Sequence, residues 1–431
     1  MLERFFNLKE HKTSITTELS AGLSTFLTMS FIIAVNPGIL SEAGIDFAAG
    51  FIATILATIL GTLIMGLYAR WPVAVAPGMG LNAYFAFVVI LGYGLSWQQA
   101  LTAVFVSSLA FFLFSITRIR SWLILSIPAE MQIAITAGIG LFLAMIGLQG
   151  AELIIDNPDT LVGLGRLDNP QTMLALVGLA LMAALDKLGI KGSILITILG
   201  LSVFGWLTGM ANFNGIVSSP PMASAAFSLD FSALTTTAFL SVVFVMFFVD
   251  FFDTTGTLTA IAEPAGLKEK DGKIKNLNKA VLADTSASIF GSLLGTSNMT
   301  TYLESAAGLR SGGRTGLVAV TVAVLFAACL FFEPLFSSIP GFATAPALIY
   351  VAIGFFGGLR QIDWTDMSVA LPVVLTVFLM PLTFSIAAGI SVGFLTYVAI
   401  RILSGRSNNL SPGIMMITSF GLIWIVLQYA V

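Results

Sequence analysis

Apolar runs close to the roughly 20 residues that span a bilayer recur along the chain, parted by short polar breaks. Fourteen can be placed, at 18–40, 47–68, 78–92, 98–117, 130–148, 171–187, 191–209, 234–256, 280–295, 299–309, 316–333, 343–358, 367–384 and 387–403. A last stretch, 411–430, reads equally as a crossing, a re-entrant loop or an interfacial helix. Two of the fourteen do not read as plain helices. The third, "APGMGLNAYFAFVV" (76–89), and the tenth, "TSNMTTYLESAAG" (296–308), each open with helix-breaking or helix-capping residues. Each also holds too few apolar residues to span alone. They stand seven segments apart, and an odd offset turns the second half upside down relative to the first. Paired interrupted segments at matching positions of two inverted halves mark the substrate site of a transporter.

Composition agrees with this pattern. Hydrophobic residues make up 57% and charged residues 10% of the chain, against about a quarter charged in a soluble domain; the mean hydropathy is +0.98. The expected class is an all-α polytopic membrane protein. The positive charges set its orientation. With a cytoplasmic N-terminus, Arg4, Lys9, Lys12, Arg70, Arg118, Arg120, Lys187, Lys191, Lys268, Lys270, Lys273, Lys275, Lys279, Arg310, Arg314, Arg360, Arg401 and Arg406 all fall inside. Of 19 Lys and Arg residues, only Arg166 falls outside, in a loop with Glu152, Asp156, Asp159 and Asp168. That asymmetry is what the positive-inside rule predicts. The N-terminal stretch lacks the pattern of a cleavable secretory signal.

Several chemistries are excluded by inventory. One cysteine, Cys329, and one histidine, His11, cannot build a zinc site or an intrachain disulfide. "GMG" lacks the strand, turn and lysine of a phosphate loop, and nothing points to nucleic-acid binding. An intramembrane enzyme would need a histidine base, a metal cluster or a Ser–Lys pair, none of which the segments supply.

What the segments do supply is acid. "FFVDFFDTTGTL" (247–258) places Asp250 and Asp253 three apart, on neighbouring positions of one helix face. Asp284 begins the ninth segment and Glu304 lies in the broken tenth. An acid at membrane depth is costly and marks a functional site that faces a wet cavity. Asp284, near Lys279, and Glu130 read equally well as caps or as partners of cytoplasmic lysines. Lys and Arg are placed at the cytoplasmic ends of the segments or outside them, and none at membrane depth to neutralise Asp253 or Glu304. Carboxylates in a low-dielectric interior take up protons more readily, which would couple transport to protons. Carboxylates beside Tyr84, Phe85, Phe87, Phe251, Phe252 and Tyr302 suit a flat, uncharged, hydrogen-bonding ring better than an anion.

At these residues the chain resembles a known family over essentially its whole length. "GLSTFLTMSFIIAVNPGIL", "APGMGLNAYFAF", "FVDFFDTTGTL", "GTSNMTTYLESAAG", "GGRTGL" and "ATAPALIYVAIGF" are similar to the AzgA-like purine permeases, a branch of the nucleobase–cation symporter-2 family. The resemblance implies two inverted seven-segment repeats. It divides the chain into a core domain (1–117 and 234–338, segments 1–4 and 8–11) and a gate domain (118–233 and 339–431, segments 5–7 and 12–14). It also implies proton-coupled import through the cytoplasmic membrane, a homodimer and no cofactor. The family's two base-holding acids fall at Asp253, by "DTTG", and at Glu304, by "TTYLE". Asn82, Ala83, Tyr84, Thr257, Thr301, Tyr302 and Leu303 join them as candidate substrate contacts, and Asp250 joins as a further proton site. Thr257 stands where uracil- and xanthine-type relatives carry a histidine, and their first-segment histidine is also absent, which leaves the carboxylates as proton carriers.

On this reading, half-helices begin near Thr300–Tyr302 and at Asn82, their N–H groups turned into the cavity. "MGLNAYFAF" and "GTSNMTTYLES" are closer to guanine/hypoxanthine-type than to adenine-type sequences. The alternatives are an adenine-type permease and an anion transporter of the same fold.

Overall fold

The computed structural model describes residues 2–117, 127–262, 264–268, 273–405 and 410–429. Arg118, Arg120, Lys270 and Arg406 of the charge pattern lie outside the described residues.

The first half runs α1 (Leu2–Phe5), α2 (Ile15–Met29), α3 (Ile32–Glu42), α4 (Phe47–Ile64), β1 (Val75–Pro77), α5 (Met79–Ala83), α6 (Trp97–Ile116), α7 (Ala129–Gly150), β2 (Ile154–Asn157), β3 (Leu161–Leu164), α8 (Pro170–Lys187) and α9 (Ser193–Leu207). The second runs α10 (Thr237–Ala262), α11 (Leu277–Leu294), β4 (Met299–Thr301), α12 (Ser305–Arg310), α13 (Leu317–Cys329), α14 (Glu333–Ser337), α15 (Gly341–Gly354), α16 (Met367–Leu382), α17 (Ile386–Leu403) and α18 (Pro412–Tyr429). Polar residues at the breaks start the helices. Ser14, Asp46, Asn169, Asp366 and Ser385 each cap the helix that follows, and Ser96 with Gln99 forms a reciprocal capping box. Among the described residues, seven helical stretches are long and apolar enough to cross a membrane. The 18-residue α8 and α11 match their length but carry Asp186 and Lys187, and Lys279 and Asp284.

Helical content dominates, but the fold is not purely α. β1 and β4 pair antiparallel, with Val75 opposite Thr301, Ala76 opposite Thr300 and Pro77 opposite Met299. β2 and β3 form a hairpin within the acidic loop. There Arg166 bonds Asp168 at 2.7 Å, which holds the Asp168 carboxyl below its ordinary value.

The β1–β4 pairing corrects the expected half-helix starts. They lie at Met79 and Ser305, not at Asn82 and Thr300–Tyr302. Both strands are fully buried, and extended backbone at membrane depth must find internal partners for its N–H and C=O groups. Each interrupted segment supplies them to the other. The last stretch is one helix, α18, packed against α17.

Packing follows two sets of neighbours. α11 packs on α4 and α6, and α13 on α2 and α4, so segments from opposite halves interleave. α7 packs on α15, α16 and α17, and α8 on α15. The first set closes tightly where segment 2 passes segment 11. A Cβ at Gly316 would stand 1.9 Å from the Gly66 carbonyl oxygen.

Candidate functional site

The β1–β4 crossing and the acids of α10 and α11 form one network. Phe247 and Phe251 of α10 pack edge-on against Phe111 and Phe114 of α6, and Asp250 and Asp253 of the same helix make their bonds to the tenth segment. Successive strand residues point to opposite faces, and β4 uses this to reach two carboxylates. The Thr300 hydroxyl donates to Asp253 Oδ2 at 2.9 Å, and the Thr301 hydroxyl donates to Asp284 Oδ1 at 2.8 Å. Thr254, next to Asp253, donates to Asp284 Oδ2 at 2.5 Å. Asp284 is therefore no partner of Lys279, whose ammonium lies 5.6 Å from the Tyr68 ring centroid. It is fully buried and ties α10 to β4.

The strand itself is pinned from both sides. Ser288 of α11 bonds the Met299 N–H at 2.9 Å and its carbonyl at 2.8 Å. Tyr302 N–H donates to Ala74 O at 3.0 Å, and its hydroxyl donates to Pro77 O at 2.7 Å. Thr28 of α2 donates to the Glu304 carbonyl at 3.3 Å. Glu304, at the start of α12, thus leaves a fixed stretch of backbone.

A cavity of about 410 Å³ opens against this network, within the range of small-molecule sites. Asp253, Thr257, Thr301, Tyr302, Leu303 and Glu304 line it, as expected from the sequence. Asn82, Ala83, Tyr84 and Asp250 do not. With α5 beginning at Met79, the third segment presents Met79, Gly80 and Leu81 instead. Asn82, Ala83 and Tyr84 fall behind them, buried, with Asn82 accepting a hydrogen bond from the Ser297 hydroxyl. Asp250 also lies behind the wall, where Asn298 donates to its Oδ2 at 3.2 Å.

Sequence reasoning missed three features of the wall. Thr300 bonds Asp253 directly, yet it read as half-helix backbone. The lining also includes Ile139 of α7 and Tyr350 and Phe355 at the end of α15. Tyr350 lies within "ATAPALIYVAIGF", but nothing in that apolar run marks it out. Finally, Arg310 lines the cavity at its exposed end, so the site is not free of basic residues.

These features define a class: a multi-pass carrier whose two broken segments cross beside a carboxylate-lined cavity. The fold is shared with the transmembrane domain of the cyanobacterial bicarbonate transporter BicA, at TM-score 0.66 and 18% identity over 86% of this chain and 96% of that one. It is shared too with the murine anion transporter Slc26a9 in its inward-facing state, at TM-score 0.65 and 10% identity over 94% and 72%. The architecture is accordingly that of two inverted seven-segment repeats.

Residues 16–392 match the Permease family that includes the xanthine and uracil permeases. The adenine permease AdeP of Escherichia coli K12 is 41% identical over 99% of this chain and 96% of its own. The guanine/hypoxanthine permease PbuO of Bacillus subtilis 168 is 42% identical over 94% and 96%. A putative permease of Methanocaldococcus jannaschii, MJ0326, is 46% identical over 94% and 93%. The chain belongs to the nucleobase–cation symporter-2 family, among its purine nucleobase permeases, and is a transporter rather than an enzyme.

Proposed function

We propose that the protein imports guanine and hypoxanthine with protons across the cytoplasmic membrane, its N-terminus inside, as a homodimer. A core domain (1–117 and 234–338) carries the base past a gate domain (118–233 and 339–431) in an elevator movement. The interleaving of α2, α4, α6, α11 and α13, apart from the packing of α7 and α8 on α15 to α17, supports that division. So does the cavity, which is lined both by α10 and the tenth segment and by α7 and α15.

The observation that carries the reading is that Asp253 and Glu304 face one cavity of base-binding size. Identity to adenine and to guanine/hypoxanthine relatives is equal within a per cent, so the site's chemistry decides the preference. Guanine sets N1–H beside its 2-amino group, two donors that one ionised carboxylate accepts together. Hypoxanthine keeps N1–H. Adenine sets the acceptor N1 beside its 6-amino donor and meets an ionised acid lone pair to lone pair. Stranding a buried polar group costs about 1–3 kcal/mol, a discrimination of about fivefold to over a hundredfold.

The test is labelled hypoxanthine uptake, challenged with unlabelled bases, in cells lacking their own carriers. Guanine and hypoxanthine should compete strongly, adenine weakly, and uracil, nucleosides and sulfate not at all. Adenine competing as well as guanine would replace this preference by the adenine-type reading. Competition by sulfate would favour an anion carrier.

A further inference from the structure

The cavity is longer than the Asp253–Glu304 site requires. Glu304 and Arg310 stand at opposite ends of α12, six residues apart, which at 1.5 Å per residue is about 9 Å along the helix axis. Asp186, from the last turn of α8, and Tyr350 of α15 line the same cavity, and Lys191, just beyond α8, donates to the hydroxyl of Ser311, next to Arg310, at 2.8 Å. The Asp186 carboxylate stands close to the Tyr350 hydroxyl. Asp186 and Arg310 are exposed and Tyr350 is half-buried, whereas Thr300, Thr301 and Tyr302 are buried. This is the open end. By the charge pattern, with Lys187, Lys191, Arg310 and Arg314 close in sequence to it, it faces the cytoplasm. Among the described residues, neither Asp186 nor Arg310 takes part in an ion pair.

We infer that Asp186, Tyr350 and Arg310 form a second, exit-side binding position for the purine. The inference rests on the function proposed above and names a place that the base occupies after leaving Asp253 and Glu304. The donor and acceptor pattern is the argument. An arginine fork matches the O6 and N7 acceptors of guanine, and a carboxylate matches the N1–H and 2-amino donors of its other edge. Here the two groups come from different helices lining one cavity, Arg310 from α12 and Asp186 from α8, with Tyr350 of α15 lining it beside them. Hypoxanthine offers the same O6 and N7 pair and one of the two donors. Adenine carries an amino group where O6 would be and so meets Arg310 donor to donor. The exit position would therefore filter in the same direction as the central site.

The experiment compares guanine exchange in right-side-out and inside-out membrane vesicles from cells expressing the full chain. A group that binds the base only at the exit end alters saturation from that face alone. Asp186→Asn and Arg310→Gln should each raise the half-saturating guanine concentration about tenfold in inside-out vesicles, equivalent to about 1.4 kcal/mol. In right-side-out vesicles it should move by less than about twofold. Tyr350→Phe, which keeps the ring and removes only the hydroxyl, should shift the inside-out value less than Asp186→Asn does. An equal shift from both faces, or none from the cytoplasmic face, overturns the exit position: the first means that these residues shape the whole cavity, the second that they only mark the membrane edge. If the wild type exchanges guanine normally, such results leave the proposed function standing. Wild-type vesicles that move no purine from either face overturn that function and this inference together.

Discussion

At the scale of single residues, Asp253, Asp284 and Asp250 differ in what holds them, and that difference orders their sensitivities. Asp253 takes one hydroxyl, from Thr300, and has a cavity on its other side. Asp253→Asn and Glu304→Gln keep size but remove the charge that accepts the purine's donors. Each should abolish concentrative uptake, by a hundredfold or more given about 1.5–3 kcal/mol per charged hydrogen bond and two such bonds, while surface expression is retained. Expression lost with activity would mean a folding defect instead. Asp250 lies behind the wall on Asn298, so Asp250→Asn should cost uptake less. Thr300→Val removes the hydroxyl from Asp253 at nearly constant shape and should raise KM several-fold. An unchanged KM would show that Asp253 needs no such orientation. Asp284 was ambiguous in sequence because Lys279 stands five residues away; only the fold shows that the lysine turns to Tyr68 and the acid turns inward.

At the scale of elements, the two broken segments were legible because Gly, Pro, Thr and Asn interrupt otherwise apolar runs at equivalent places in two halves. Their strands were not. Three residues carry no alternation to read, and the pairing of residues 75–77 with 299–301 spans over two hundred residues. Missing the strands moved both half-helix starts by about one turn, which is why Met79, Gly80 and Leu81 line the cavity in place of Asn82, Ala83 and Tyr84. The close passage of segments 2 and 11 was equally invisible, since a glycine in an apolar run does not name its neighbour. It carries its own prediction. A Cβ at Gly316 meets backbone, not a side chain that can swing away, so Gly316→Ala forces the two segments apart. Overpacking of this kind costs about 1–3 kcal/mol. Thermal unfolding of the detergent-solubilised protein should shift down by several degrees, whereas Gly256→Ala, with nothing within 4 Å of the added carbon, should leave it unchanged. Equal melting of the two variants would contradict this packing.

At the scale of the whole molecule, the elevator reading forces the question of charge. The core would carry Asp253, Glu304, Asp250 and Asp284 together, and no histidine lies within a membrane segment to relay a proton, His11 being in the N-terminal tail. Each ionised acid at membrane depth costs about 2.5–3.5 kcal/mol on insertion scales. A core that moves with a proton on one of them, and with the base's donors on another, travels closer to neutral than an empty ionised one. Import is then tied to the proton gradient. Raising external pH at fixed internal pH both shrinks that gradient and leaves fewer outward-facing carriers protonated, so initial uptake should fall. For each coupled proton, one pH unit of inside-alkaline gradient supports at most about tenfold accumulation, since 1.4 kcal/mol is a factor of ten. Adding a protonophore to loaded cells should collapse the accumulated base to its external concentration, while replacing Na⁺ by choline should change nothing. Accumulation that survives the protonophore but fails without Na⁺ would assign the coupling to sodium, and the carboxylate network of α10, α11 and β4 would then need a cation rather than a proton to cross.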